Sequence, residues 1–138
     1  MKTGKVNCVF ALIISVFFFC GCSRDAIRRD PSPPAEYRKI SAEDANRMMT
    51  TSENIFLLDV RTEAEFREKR IAGAVLIPNN EITDRAAQEL PDNDALILVY
   101  CQSGVRSAAA SRELVNMGYT NVYDFGGIAN WPYETTRD

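Results

Sequence analysis

Histidine is missing altogether from this 138-residue chain. Without an imidazole there is no Ser-His-Asp or Cys-His nucleophile system, no HExxH metal site and no imidazole acid or base. Basic tracts are scarce too: 16 Lys and Arg stand against 19 Asp and Glu, for a net charge of -3, and no cationic run is longer than a pair. That balance argues against sequence-independent binding of nucleic acid. Cysteine is sparse, with Cys8, Cys20 and Cys22 close together near the start and Cys101 far from them. What is present, 46% apolar and 25% charged residues, is the balance of one globular domain rather than a disordered chain.

Lys2 and Lys5 precede the apolar run 8–20, which Gly21-Cys22 follows. The run is short of the roughly 20 residues that span a bilayer, and a basic start with an apolar stretch of this length describes an export signal over residues 1–21. Residues 19–22 resemble the lipobox of bacterial lipoproteins, although Phe19 and Cys20 stand where Leu and Ala or Ser are usual. The resemblance implies cleavage before Cys22 and lipidation of its sulfur. Residues 22–36, with Pro31, Pro33 and Pro34, alternate charge and proline without an apolar period, as a flexible tether does. The expected place is therefore the cell envelope, on the membrane through the lipid, facing the periplasm if the cell is Gram-negative.

Cleavage leaves Cys101 as the one free thiol. A single cysteine forms no internal disulfide, and without histidine no metal or other cofactor is expected.

From Tyr37 onward short apolar runs alternate with capped amphipathic segments. Ser41 and Asp44 predict a helix start, with Ala42, Ala45, Met48 and Met49 as its apolar face. Residues 54–60 read as a strand buried on both sides, Thr62 with Glu65 as a capping box, and 74–77 as a second buried strand. Thr83 starts a helix whose Ala86, Ala87 and Leu90 should face inward. Residues 95–100 are the most strand-like run, a helix follows from about Ser107 to Met117, and 121–125 form a last strand. The alternation predicts an α/β domain over residues 37–138: a mainly parallel central sheet flanked by helices on both faces. Ligands of such sheets bind beyond the carboxyl ends of the strands, which here carry Asp59-Val60-Arg61 and the segment from Cys101 to Arg106.

Cys101 follows a buried strand directly and stands before Gln102-Ser103-Gly104-Val105-Arg106 and the helix at Ser107. Backbone N–H groups of so short a loop, together with the positive end of the helix dipole, favour a thiolate and bind an anion. Arg106 adds a fixed cation that can hold an oxyanion or brace the loop through its carbonyls. The plainer alternative is a small buried core cysteine.

These residues, with the Glu65-Phe66 pair, Ile71-Ala72-Gly73-Ala74 leading to Ile77-Pro78, and the stretch 126–131 ending in Trp131, resemble a single-domain rhodanese, of the thiosulfate sulfurtransferase family. The likeness runs from about Tyr37 to Trp131. It implies that Cys101 thiolate takes the outer sulfur of a small anionic donor, thiosulfate or a persulfide, and yields it to a thiol or cyanide. Gln102, Ser103, Gly104, Val105 and Arg106 would then bind the donor. By the same analogy Asp59, Arg61 and Ser107 support the loop, Asp59 by accepting hydrogen bonds and Arg61 by pairing with a carboxylate. Glu65 is explained by its cap and Trp131 by packing. Lys69 and Arg70 stand where a Gly-His pair is common in the family, and Arg70 is expected on a solvated face.

Other readings compete. Phosphatases and arsenate reductases of the cell-cycle phosphatase type share the fold but place five residues between cysteine and arginine; here there are four. A phosphate ester would also want a general acid that no histidine supplies. A non-catalytic binding module, or a persulfide carrier with little use for thiosulfate, needs no change in this sequence. The domain is expected to be a monomer.

Overall fold

The computed structural model describes residues 36–137, so the expected export signal, the expected lipidation at Cys22 and the expected tether up to residue 35 lie outside the described residues. Five strands form one sheet in the order β1-β5-β4-β2-β3, every neighbouring pair parallel. They are β1 (Arg38–Lys39), β2 (Ile55–Asp59), β3 (Val75–Leu76), β4 (Leu96–Cys101) and β5 (Val122–Gly127). The helices are α1 (Ala42–Thr51), α2 (Glu63–Glu68), α3 (Ile82–Glu89) and α4 (Val105–Asn116), with 3-10 turns at Asn79–Glu81 and Ile128–Asn130.

Side chains of a strand point alternately to opposite faces, and β4 shows what that does here. Ile97, Val99 and Cys101 join Ile82 and Ala86 of α3, Leu90 just after it, and Ala110 and Leu114 of α4 in one apolar layer. Leu98 and Tyr100 point the other way, to Ala45 of α1 and to Ile71, Phe125 and Ile128. Each fully buried Leu, Ile or Val contributes about 1.5–3 kcal/mol, and β2 and β4 supply such residues to both layers. This is the two-faced α/β sheet that the alternation predicts.

The departures are local. The run 74–77 makes only a two-residue edge strand, and Val75 is 38% exposed, because β3 pairs on one side alone. Ala87 faces solvent rather than the core, while Ala86 and Leu90 are fully buried. The pair Arg38–Lys39, which shows no apolar pattern, adds a parallel strand beside β5. α4 starts at Val105, two residues early, so Arg106 and Ser107 belong to its first turn rather than to the loop.

Chain direction makes the functional crevice. From β2 the chain moves outward to β3, and from β4 it moves outward the opposite way to β5. The carboxyl ends of β2 and β4 are neighbours, with Asp59 opposite Tyr100, so the segments after Asp59 and after Cys101 meet where the strand order diverges.

Candidate functional site: a buried cysteine in a ring of backbone donors

Cys101 ends β4 at full burial. Three residues on, Gly104 has φ +101°, a conformation open to glycine at little cost, and it caps α4 without a side-chain hydrogen bond. The sulfur takes over part of that capping role: Cys101 Sγ accepts from Gly104 N–H at 3.0 Å. Burial pushes the thiol's pKa up, but backbone N–H groups of Ser107, Gly104 and Ser103, aided by the Ser107 hydroxyl, outweigh it and hold the pKa below the ordinary thiol value. The group is thus a buried sulfur biased toward thiolate.

Ser107 is fully buried and its hydroxyl lies 3.1 Å from Gly104 O and 3.2 Å from Gly126 O, joining the loop to the end of β5. Gly127 packs against the same loop. A Cβ there would lie 2.5 Å from Gln102 O and 2.7 Å from Ser103 Cα, both backbone atoms that can yield only if the loop moves. Gly127→Ala is expected to cost about 1–3 kcal/mol in denaturant unfolding, as overpacking does, and to change the alkylation rate of Cys101. An unchanged midpoint and an unchanged rate would show that the loop has room to spare.

Asp59 and Arg61 form a buried pair, with side chains 0% and 2% exposed. Arg61 Nη2 donates to Asp59 Oδ2 at 2.6 Å and Nε to Oδ1 at 3.0 Å, while Arg61 N–H reaches Oδ1 at 3.0 Å. The remaining donors spread outward, Nη1 to Gln102 Oε1 at 3.4 Å and Nη2 to Lys69 O. The guanidinium also lies over the Tyr100 ring, 5.6 Å from its centroid. Burial, then the Asp59 carboxylate, raises the pKa of Tyr100, whose hydroxyl accepts from Ile71 N–H at 3.2 Å. Asp59 accepts hydrogen bonds and Arg61 pairs with a carboxylate, as the resemblance implies, and Arg61 reaches the cysteine loop through Gln102.

Arg106 turns toward a carboxylate on another helix. Its Nη1 and Nη2 donate to Glu65 Oε2 and Oε1 at 2.8 and 2.7 Å, a fork-to-fork pair between the first turns of α4 and α2. Glu65 also completes its capping box, accepting from Thr62 N–H at 2.9 Å and from the Thr62 hydroxyl at 2.8 Å. Arg106 foremost, opposed by burial and aided by Thr62, lowers the Glu65 pKa to about 2. The cap alone is therefore an incomplete explanation of Glu65. Its second partner lies 41 residues away on another helix, and no local spacing in the sequence signals that pairing.

The other predicted positions lie around this frame, and Arg70, expected on a solvated face, is half-buried. Gln102, Ser103 and Val105 are exposed at the crevice mouth, Val105 at 75%. Arg70 stacks on Phe66, 4.8 Å from the ring centroid, and Trp131 packs on Phe125 with centroids 5.5 Å apart. Among the described residues no cluster of three or more His, Cys, Asp or Glu is placed to hold a metal ion. What the arrangement can do is present one activated sulfur nucleophile beside donors that stabilise negative charge.

Residues 41–133 match the family model described as rhodanese-like domain. The thiosulfate sulfurtransferase PspE of Escherichia coli K12 is 37% identical over 71 residues, 51% of this chain and 68% of that protein. A sulfurtransferase of Allochromatium vinosum is 33% identical over 94 residues, 67% of this chain and 86% of its own length. Among solved structures, a rhodanese from E. coli determined with anions superposes with a TM-score of 0.58 at 31% identity, covering 61% of this chain and 99% of its own. A rhodanese-related protein from Thermoplasma volcanium gives 0.64 at 30% identity, with 74% and 100% covered. The parallel sheet, the cysteine at the end of its central strand and these matches give one conclusion: the chain belongs to the rhodanese-like domain family.

Proposed function

We propose that this domain is a sulfurtransferase that carries a sulfane sulfur on Cys101. The observation that carries the reading is the sulfur itself: buried, biased toward thiolate, and bonded by Gly104 N–H at 3.0 Å in a loop whose further N–H groups face it. Curated relatives named thiosulfate sulfurtransferase or sulfurtransferase support it.

In the first half-reaction the thiolate attacks the outer sulfur of thiosulfate, a new S–S bond forms, and the old S–S bond breaks with its electron pair leaving on sulfite. A persulfide donor reacts in the same way, with a thiolate leaving. In the second, the thiolate of an acceptor thiol, or cyanide, attacks the outer sulfur of the Cys101 persulfide, and Cys101 departs as thiolate. Neither half needs a general base once the thiolate exists, which suits a chain without histidine. The N–H groups that hold the thiolate also hold the negative charge of the persulfide. The lipobox-like stretch 19–22 supports action at the cell envelope through a lipid on Cys22.

Peptide mass spectrometry of the full chain before and after exposure to thiosulfate tests the proposal. Cys101 is expected to gain one sulfur atom that cyanide removes. Uptake from a low-molecular-weight persulfide but not from thiosulfate would identify a carrier, and uptake from neither would leave the domain a binding module.

A further inference from the structure

Electrostatics at the cysteine loop are set by two ion pairs. Between Cys101 and Arg106 the loop carries no charged side chain, only Gln102, Ser103, Gly104 and Val105. The Cys101 thiolate and the Asp59 carboxylate add to the field that holds the Arg106 charge, and Glu65 adds to that at Arg61. Arg61 is matched by Asp59 and Arg106 by Glu65, each through two or more hydrogen bonds. Each of these two cations is thereby matched by a carboxylate, which weakens its field at the loop.

The carboxylate of Glu65 is also pinned. Four hydrogen bonds, two from Arg106 and two from Thr62, hold its oxygens. The mouth itself exposes Gln102, Ser103 and Val105, the last at 75%, and none of them offers a dianion a charge. A mouth of this kind penalises a doubly charged donor and tolerates one whose sulfur is carried on an organic group.

We propose that Glu65 sets donor specificity: by cancelling the field of Arg106 at the loop mouth, it disfavours the thiosulfate dianion and favours organic persulfides of low negative charge. The proposal rests on the sulfurtransferase reading. It makes Glu65 a positioning and specificity residue that acts through Arg106, not a group that touches the transferred sulfur.

The test separates charge from shape. Glu65→Gln removes the charge, while glutamine still serves a capping box and still accepts from Arg106. Cys101 of the full chain is alkylated with iodoacetate and with iodoacetamide, and the modified peptide is quantified by mass spectrometry. Both reagents lose iodide to the same thiolate and differ in charge. The iodoacetate-to-iodoacetamide rate ratio is expected to rise about fivefold in the variant at low salt, and to fall back toward the native ratio as ionic strength is raised. A purely structural Glu65 would change both rates together and leave the ratio level, which overturns the proposal. Arg106→Gln, which leaves Glu65 uncompensated, should move the ratio the opposite way, and it serves if Glu65→Gln does not fold.

Sulfur loading of Cys101 then follows the same logic. Thiosulfate should gain about fivefold in kcat/KM over cysteamine persulfide in Glu65→Gln. Loading of the native chain with neither donor would defeat the sulfurtransferase reading and the specificity claim with it. Normal loading with unmoved ratios would defeat the role of Glu65 alone.

Discussion

Cys101→Ser is expected to keep the fold and to take up no sulfur, a loss of more than about 1,000-fold in transfer from any donor. The hydroxyl is smaller than the thiol it replaces and can still accept from Gly104 N–H, so packing at the end of β4 changes little. A melting temperature within about 5 °C of the native one follows. Reactivity cannot survive, because the donors that hold Cys101 toward thiolate act on a group that ionises readily, and serine does not. A serine nucleophile relies on an adjacent base to take its proton, and the chain has no histidine to serve as one. Mass measurement after thiosulfate and after persulfide, alongside a thermal melt, reads both halves. Sulfur uptake by the folded variant would place the nucleophile elsewhere and end the mechanism.

What the sequence made legible follows from what is local. The capping box of Thr62 and Glu65, the alternation along β4 and the glycine needed at position 104 are consequences of spacing within a few residues, and each appears in the structure. Positions 59, 61 and 101–107 could be expected to meet because they lie at strand ends, and the sheet order brings those ends together. Position does not disclose partnership, however. That Arg106 spends its charge on Glu65, and that Gly127 walls the loop at van der Waals limits, depend on how helices and turns from distant segments dock. Ala87 and the edge strand Val75–Leu76 failed for a related reason: an apolar residue signals burial only if another element covers it.

Asp59→Ala should be the most destabilising single change in the site, at about 3–5 kcal/mol, because it leaves the Arg61 charge buried and unpaired. Domains of this size are stable by only about 5–15 kcal/mol, so a drop of more than about 10 °C in melting temperature is expected. The alternative cause, a lost carboxylate volume, is separable from a stranded charge. In the double variant Asp59→Leu with Arg61→Met the charge is gone and the space is filled with apolar atoms, and such replacements of buried pairs are often neutral or stabilising. The double variant should therefore melt well above Asp59→Ala. It should still load sulfur poorly, since Gln102 Oε1 and Lys69 O lose the guanidinium that ties the cysteine loop to the segment after α2. Equal melting of the single and double variants would show that the pair is not held by charge. Full sulfur loading in the stable double variant would show that the loop keeps its shape without Arg61, and would return the pair to a role in stability alone.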